Sequence, residues 1–378
     1  MRATNFRPDG HAGHIEHTRA DGSRMVVERG FRGERHVEVV RAGGERVVVY
    51  GRVGFVERGV RPGYISRTYV IGGRPTVYVY RNYRYRGVVY YRYVPRVYYA
   101  PAFYGWAYRP WGLRVAFNWG WGPRPAWFYG GYFAPAPYYT DPAFWLTDYL
   151  LAENLRLAYQ SQEAPPPPAE TTMTPEQMAA MKQMIADEVR RQIQAEQAAA
   201  TQPPVPQGTV TETAVEARPQ SLDPNQRTFV VSASLQVTVP PSTGCTLSGG
   251  DILYRSSELQ SNGTVTVTVL SSKPGDCQAN STTAVQLAAL QDMLNQFRQQ
   301  IAAGMETLSS QQGKNGVPAG PAANPTTVAE GQAAPAPDVE NALTQLNQEA
   351  DQTEKDVRQA ATGTPTAMLR RGQSPGSL

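Results

Sequence analysis

Tyr64-Ile-Ser-Arg-Thr-Tyr-Val-Ile71, Gly72-Gly73, Arg74-Pro-Thr-Val-Tyr-Val-Tyr80 is the stretch that decides the fold. Two runs rich in Val, Ile and Tyr flank a Gly-Gly pair. Glycine takes the positive φ of a tight hairpin turn without steric cost. The stretch therefore predicts an antiparallel β-hairpin. Similar runs recur every eight to twelve residues: Met25–Glu28, His36–Arg41, Arg46–Tyr50, Val53–Glu57, Thr76–Arg81 and Val88–Tyr93. Gly30, Gly33, Gly43-Gly44, Gly59 and Gly87 punctuate them. Short strands at this spacing predict an antiparallel β meander.

The strands have no purely apolar face. In Tyr64–Ile71, alternation puts Ile65, Arg67, Tyr69 and Ile71 on one side and Tyr64, Ser66, Thr68 and Val70 on the other. Cross-strand Tyr–Tyr and Arg–Tyr pairs, each contributing roughly 0.2–1 kcal/mol, are expected to stabilise such a sheet. Its edges would favour pairing with other chains. Residues 1–23 are polar and read as an N-terminal segment. The β meander with its cap and helix is expected over residues 24–160.

From Ala100 to Tyr139 the chain is dense in Trp, Tyr, Phe, Gly and Pro, as in Phe103-Tyr-Gly-Trp106, Pro110-Trp111, Trp119-Gly-Trp121, Pro125-Ala-Trp127 and Tyr129-Gly-Gly-Tyr132. That density predicts a compact aromatic cap without a helix. A helix follows, with Asp141 as cap, Pro142 in its first turn and a broad apolar face from Phe144 to Leu157. A Pro-rich linker spans residues 161–173. Thr174-Pro-Glu-Gln177 has capping-box form and opens a helix over 174–199 with the stripe Met178, Met181, Ile185, Val189 and Ile193. That stripe needs a partner, either another copy or another part of the chain.

Residues 200–220 read as linker. Residues 221–310 read as a small β domain with strands Arg227–Val239 and Thr264–Leu270 and a helix Ala284–Leu308 whose leucines follow heptad-like spacing. Residues 311–378 read as largely disordered, with a weak amphipathic helix around Val339–Val357. The fold class expected is α+β, mostly β with additional helices. Two modest cores joined by disordered chain are expected from 41% hydrophobic residues with 31 Pro and 34 Gly. Self-association through 174–199 and 284–308 is a separate expectation.

Charge and aromatics divide the chain. Residues 1–140 hold 22 Arg, no Lys and eight acids, a balance of +14, whereas the whole chain carries +4. No acid lies between Glu57 and Asp141, a stretch with 12 Arg. All six Trp and 20 of the 21 Tyr precede residue 160. An acidic or glycan-rich polymer is the partner this composition suggests. The surface proposed for it comprises Arg67, Tyr69, Arg81, Tyr83, Arg84, Tyr85, Arg86, Trp106, Trp111, Trp119, Trp121 and Trp127. Nucleic acid is the alternative, since guanidinium groups neutralise phosphate and tyrosines stack on bases. The lack of Lys in this half leans away from it.

No enzyme is expected. All four His lie at positions 11–36, and no P-loop, GxSxG or HExxH occurs. His11-x-x-His14-x-x-His17 has metal-like spacing, but Gly10 and Gly13 oppose a helix there, so no metal site and no cofactor are assigned. Cys245 and Cys277 fit a disulfide, worth about 4 kcal/mol by loop-closure entropy, in an oxidising compartment. No run of apolar residues is long enough to cross a membrane as a helix. The N-terminus, Met1-Arg-Ala-Thr-Asn-Phe-Arg-Pro8, has no apolar signal-peptide core. It reads as cytoplasmic unless the start lies upstream.

Two resemblances accompany this reading. Cys245-Thr-Leu-Ser-Gly-Gly-Asp-Ile-Leu253, with Phe229-Val-Val-Ser-Ala before it and Val265–Leu270 after it, resembles the Gly-Asp-Ile-Leu core of PDZ domains over about fifty residues. It implies a PDZ-like or β-barrel domain, without the Gly-rich carboxylate-binding loop. More broadly, the chain resembles a family of uncharacterised exported bacterial proteins. The marks are Tyr64-Ile-Ser-Arg-Thr-Tyr-Val-Ile-Gly-Gly73, Phe103-Tyr-Gly-Trp106, Trp119-Gly-Trp121, Tyr129-Gly-Gly-Tyr-Phe-Ala-Pro135, Trp145-Leu-Thr-Asp-Tyr-Leu150 and Ser271-Ser-Lys-Pro-Gly-Asp-Cys277. This resemblance implies export to the periplasm, envelope or exterior and brings no activity. The combined expectation is a non-enzymatic, envelope-associated structural or interaction protein, with a PDZ-like peptide-binding regulator as a further alternative.

Overall fold

Nine strands in strict chain order form the largest sheet of the protein: β1 (Arg2–Phe6), β2 (Ala12–Thr18), β3 (Arg24–Arg29), β4 (Arg35–Val40), β5 (Arg46–Tyr50), β6 (Val53–Arg61), β7 (Tyr64–Ile71), β8 (Arg74–Tyr85) and β9 (Val88–Val94). The computed structural model describes residues 2–6, 12–30, 35–50, 53–116, 133–160, 174–202, 216–240 and 243–362. Every pairing in the sheet is antiparallel, and Ile71 faces Arg74 across a Gly72-Gly73 turn with φ of 59° and 74°. The polar segment expected over residues 1–23 is instead two strands of this sheet. Ile15 is the one large apolar residue on β2, so alternation there was too sparse to read.

Strand register assembles the inner face. Ile15 pairs with Val27, Val27 with Val37 and Val37 with Val49. Met25, Val39, Val47 and Val56 make a parallel row. These eight side chains are buried under α5 (Val339–Thr362), which inserts Val339, Ala342, Leu346, Ala350 and Val357 at spacings of three, four and seven. Contact is closest at Gly54, where a Cβ would stand 2.5 Å from the Val48 carbonyl oxygen and 2.7 Å from Leu343. The segment expected to be largely disordered is therefore ordered from 312 to 362; residues 363–378 lie outside the described residues. Its own composition is poor in large apolar groups. Order comes from the apolar face that the distant meander supplies.

A helical layer forms the second core. It contains α1 (Pro101–Tyr108), α2 (Pro142–Gln160), α3 (Pro175–Ala200) and α4 (Leu287–Gln311). The aromatic cap thus contains a helix after all: Pro101 sits in its first turn, where proline costs no hydrogen bond. The predicted caps of α2 and α3 form. Asp141 Oδ1 accepts from the Ala143 N–H at 2.7 Å, and Thr174 and Gln177 make a reciprocal capping box. The α3 stripe Met181, Ile185, Val189 and Ile193 is buried with Leu146, Leu150 and Leu155 of α2. Phe297, Ile301, Met305 and Leu308 of α4 join that core, while Leu287, Leu290 and Leu294 enter the next one. The buried residues of both stripes expected to drive self-association pack within the one chain.

The third core belongs to the C-terminal β region. Its four-stranded sheet runs β11 (Thr228–Val230), β14 (Ile252–Arg255), β15 (Thr264–Ser271), β16 (Thr282–Gln286), beside the hairpin β12 (Leu235–Val239) and β13 (Thr243–Leu247). Residues 282–286 are a strand, not the start of the following helix. Cys245 and Cys277 form a disulfide across 32 residues. No barrel closes among the described residues. A last pair, β10 (Val97–Tyr98) with β17 (Thr326–Thr327), ties the C-terminal segment to the end of the meander. Strands and helices contribute 33% and 35%, an α+β fold.

Truncating Leu346 to Ala on α5 is expected to destabilise the protein by about 2–5 kcal/mol in urea unfolding, the range for a buried leucine. Reducing the disulfide is expected to lower stability by up to about 4 kcal/mol, read as a lower melting temperature in reductant.

Candidate functional site

The arginines of the meander meet carboxylates inside the chain. Arg29 grips Glu354 with two hydrogen bonds of 2.7 and 2.8 Å. Arg19 pairs with Glu349 at 2.7 Å, Arg58 with Asp338 at 2.8 Å, and Arg35 with Asp351. All four acids stand on α5 or immediately before it. Within the sheet Arg46 pairs with Glu38 at 2.8 Å and Arg24 with Glu16 at 2.6 Å. The division of charge along the sequence thus becomes contact between sheet and helix.

Arg67 does not face solvent. It is 3% exposed, donates from Nε to Glu57 at 2.7 Å and from Nη1 to Asp292 of α4 at 3.3 Å, and lies 4.6 Å from the Tyr80 ring centre. Tyr69 is buried, and its hydroxyl accepts from Gln296 at 2.8 Å. Tyr83 is buried too, stacked on Tyr90 at 5.9 Å. These three residues leave the proposed polymer-binding surface: the polar row of α4 covers Arg67 and Tyr69, and Tyr83 joins the apolar core of the C-terminal β region. The same row seals the edge of the sheet. Asn295 Oδ1 accepts from the Tyr93 N–H at 3.0 Å and its Nδ2 donates to the Tyr91 carbonyl at 2.9 Å, as a neighbouring strand would. The β9 edge is therefore not open for pairing with other chains.

Of the other proposed residues, Arg84 and Arg86 are exposed, while Arg81 and Tyr85 are half-buried. Trp119, Trp121 and Trp127 lie outside the described residues, as do His11 and the 161–173 linker. His14 and His36 flank Glu28 across adjacent strands, at 3.3 and 3.2 Å. The His36 hydrogen bond holds the Glu28 carboxyl below its usual range.

Trp106 and Trp111 do come together, 5.6 Å apart with rings tilted by 33°. Phe103 stacks behind Trp106 at 5.5 Å. The two indoles line an open cavity of about 660 Å³, together with Pro101, Tyr108, Arg109, Leu113, Gln197, Pro318 and Pro321. Gly320 lies flat on the Trp106 ring, where a Cβ would stand 2.7 Å from it. The Trp111 indole N–H has no hydrogen-bond acceptor among the described residues. Arg109 is exposed and lies 5.8 Å from the Tyr108 ring centre. The site therefore brings parts of two indole rings and an exposed guanidinium to one cavity. Such a surface can stack on a ring and pair with an anion.

Comparison with family models, with curated proteins and with solved structures finds no match.

Two buried polar features were not anticipated from sequence. One is the cluster of Asp251, Lys273 and Asp276. The other is Glu196, at i+3 from Ile193 on the buried side of α3, a spacing that would have marked it. Burial pushes the Glu196 carboxyl up to about 7, with Arg298 at 4.0 Å pulling the other way. A carboxyl raised above its unfolded value of 4.5 keeps its proton in the fold. Its contribution is full below pH 4.5 and is lost as pH rises through about 7. The Glu196→Gln variant is expected to gain stability relative to the parent protein between pH 5 and 8. Paired urea titrations across that range check it.

Proposed function

We propose that the protein is a non-enzymatic, exported, envelope-associated interaction protein whose Trp106–Trp111 cavity binds an acidic polysaccharide. The observation that carries this reading is the pairing of two half-buried indoles with the exposed Arg109 around one open cavity. Sugar rings present C–H faces that stack on indole, and a uronic acid carboxylate complements the guanidinium. The cavity volume suits a short stretch of saccharide. The Cys245–Cys277 disulfide supports an oxidising compartment.

The alternatives have less behind them. A nucleic-acid surface needs Arg and Tyr side by side on an open sheet face, yet Arg67, Tyr69 and Tyr83 are buried. A PDZ-like regulator needs a free turn before its central strand. Here the Gly249-Gly250-Asp251 turn is packed: a Cβ on Gly250 would stand 2.7 Å from Leu155.

Tryptophan fluorescence of the full chain, titrated with polygalacturonate against neutral dextran, tests the proposal. Binding to the anionic polymer is expected, weakened about tenfold, or about 1.4 kcal/mol, by Trp106→Ala or Arg109→Ala. No response to polygalacturonate at low and physiological salt overturns it. Tighter binding to single-stranded DNA, with a steep salt dependence, would put the nucleic-acid reading in its place.

A further inference from the structure

Two stretches singled out in the sequence, Ser248-Gly-Gly-Asp251 and Lys273-Pro-Gly-Asp276, meet inside the C-terminal β region. Lys273 is 4% exposed, and the side chains of Asp251 and Asp276 are 0% exposed. Lys273 Nζ lies 2.6 Å from Asp251 Oδ1 and 3.3 Å from an Asp276 carboxyl oxygen. Nζ also donates to the Gly249 and Ser248 carbonyls at 2.8 and 3.1 Å. Nζ thus sits among two backbone carbonyls and two carboxyls, with Asp251 the nearest. The Asp251 carboxyl is itself gripped by backbone: Oδ2 accepts from the Ser248 N–H at 2.8 Å and Oδ1 from the Lys273 N–H at 3.1 Å. Asp276 is oriented by the Ser248 hydroxyl, which donates to it at 2.5 Å.

We propose that this cluster is a self-modification site, at which Lys273 Nζ and Asp251 Cγ join in an intramolecular amide bond with Asp276 as the proton carrier. One amine and two carboxyls in a dry site are neutral only when one carboxyl keeps its proton. Both Asp251 oxygens accept hydrogen bonds, so the retained proton is assigned to Asp276. Burial raises the Asp251 carboxyl, which favours its taking a proton from Lys273. The step then balances. The Lys273 ammonium gives one proton to Asp251 Oδ1, 2.6 Å away, and the free amine attacks the Asp251 carboxyl carbon. The Ser248 N–H steadies the negative charge that builds on Oδ2, as backbone donors do at other tetrahedral centres. Asp276 gives its proton to the Oδ1 hydroxyl, the C–Oδ1 bond breaks, and water leaves. The nitrogen passes its surplus proton to Asp276, which ends neutral beside the amide. No oxidant or cofactor takes part. Held at hydrogen-bond distance in a dry site, such a pair gains the effective concentration of an intramolecular reaction. The bond would tie the turn before β14 to the loop after β15, four residues from Cys277.

Mass spectrometry of the purified full chain, disulfide reduced and thiols capped, decides the matter. Peptide mapping is expected to show the fragments carrying Asp251 and Lys273 linked and one water lighter than their sum. Lys273→Met and Asp276→Asn are expected to restore the full mass. An unmodified parent chain overturns the proposal, whatever the variants do. So does loss of water that hydroxylamine reverses, which would mark a succinimide. A linked parent chain with an equally linked Asp276→Asn variant overturns the role given to Asp276.

Discussion

Guanidinium groups leaving water need a carboxylate or an aromatic face to replace it, and this requirement organises the whole molecule. The first half of the chain carries far more arginine than acid, so a sheet built from it alone would repel itself. The second half supplies the missing carboxylates from α5. Sheet and helix also share an apolar layer of valines against Ala342, Leu346 and Ala350. Surface ion pairs contribute little singly. Here they flank a buried apolar seam and set the position of the helix along it, while the seam contributes most of the stability.

The other end of the sheet meets the same requirement through α4. Arg67 is satisfied by Glu57, Asp292 and two aromatic rings. Tyr69 and Tyr80 find glutamine partners on the helix. Asn295 completes the hydrogen bonding of β9. A polar helix face therefore does what a tenth strand would do, and a long flat edge is removed as a hazard. Because α4 also enters the helical core and the C-terminal β core, the three cores are mechanically linked.

These demands bury several of the arginines and aromatics that composition offered to a ligand. Arg74, Arg84, Arg86, Arg96, Arg109 and Arg114 are among the exposed arginines between Glu57 and Asp141, and Arg109 alone of them stands beside the Trp106–Trp111 pair. The binding reading consequently contracts from a broad Arg/Tyr surface to one cavity beside α1. The buried Asp251, Lys273 and Asp276 belong to a different setting, in which fixed geometry and absence of water favour chemistry between side chains over recognition.

Much of the architecture was legible in the residues. The Gly72-Gly73 turn, the alternating strands, the Asp141 and Thr174 caps and the Cys245–Cys277 pair are local or nearly local features, and their physics is complete within a few residues or in simple pairing. The order of α5, the burial of Arg67, Tyr69 and Tyr83, and the filling of the α3 and α4 stripes are another matter. Their partners lie on other elements, as far as 330 residues away in the case of Arg19 and Glu349. An alternating strand shows that two faces exist but not which one a distant helix will cover. Trp106 and Trp111 were identifiable as aromatic candidates from composition, yet their shared cavity required Pro318 and Pro321 from the far end of the chain. Residue chemistry dictated which groups needed partners; chain folding chose the partners, because burial and charge neutralisation are satisfied in space and not along the sequence.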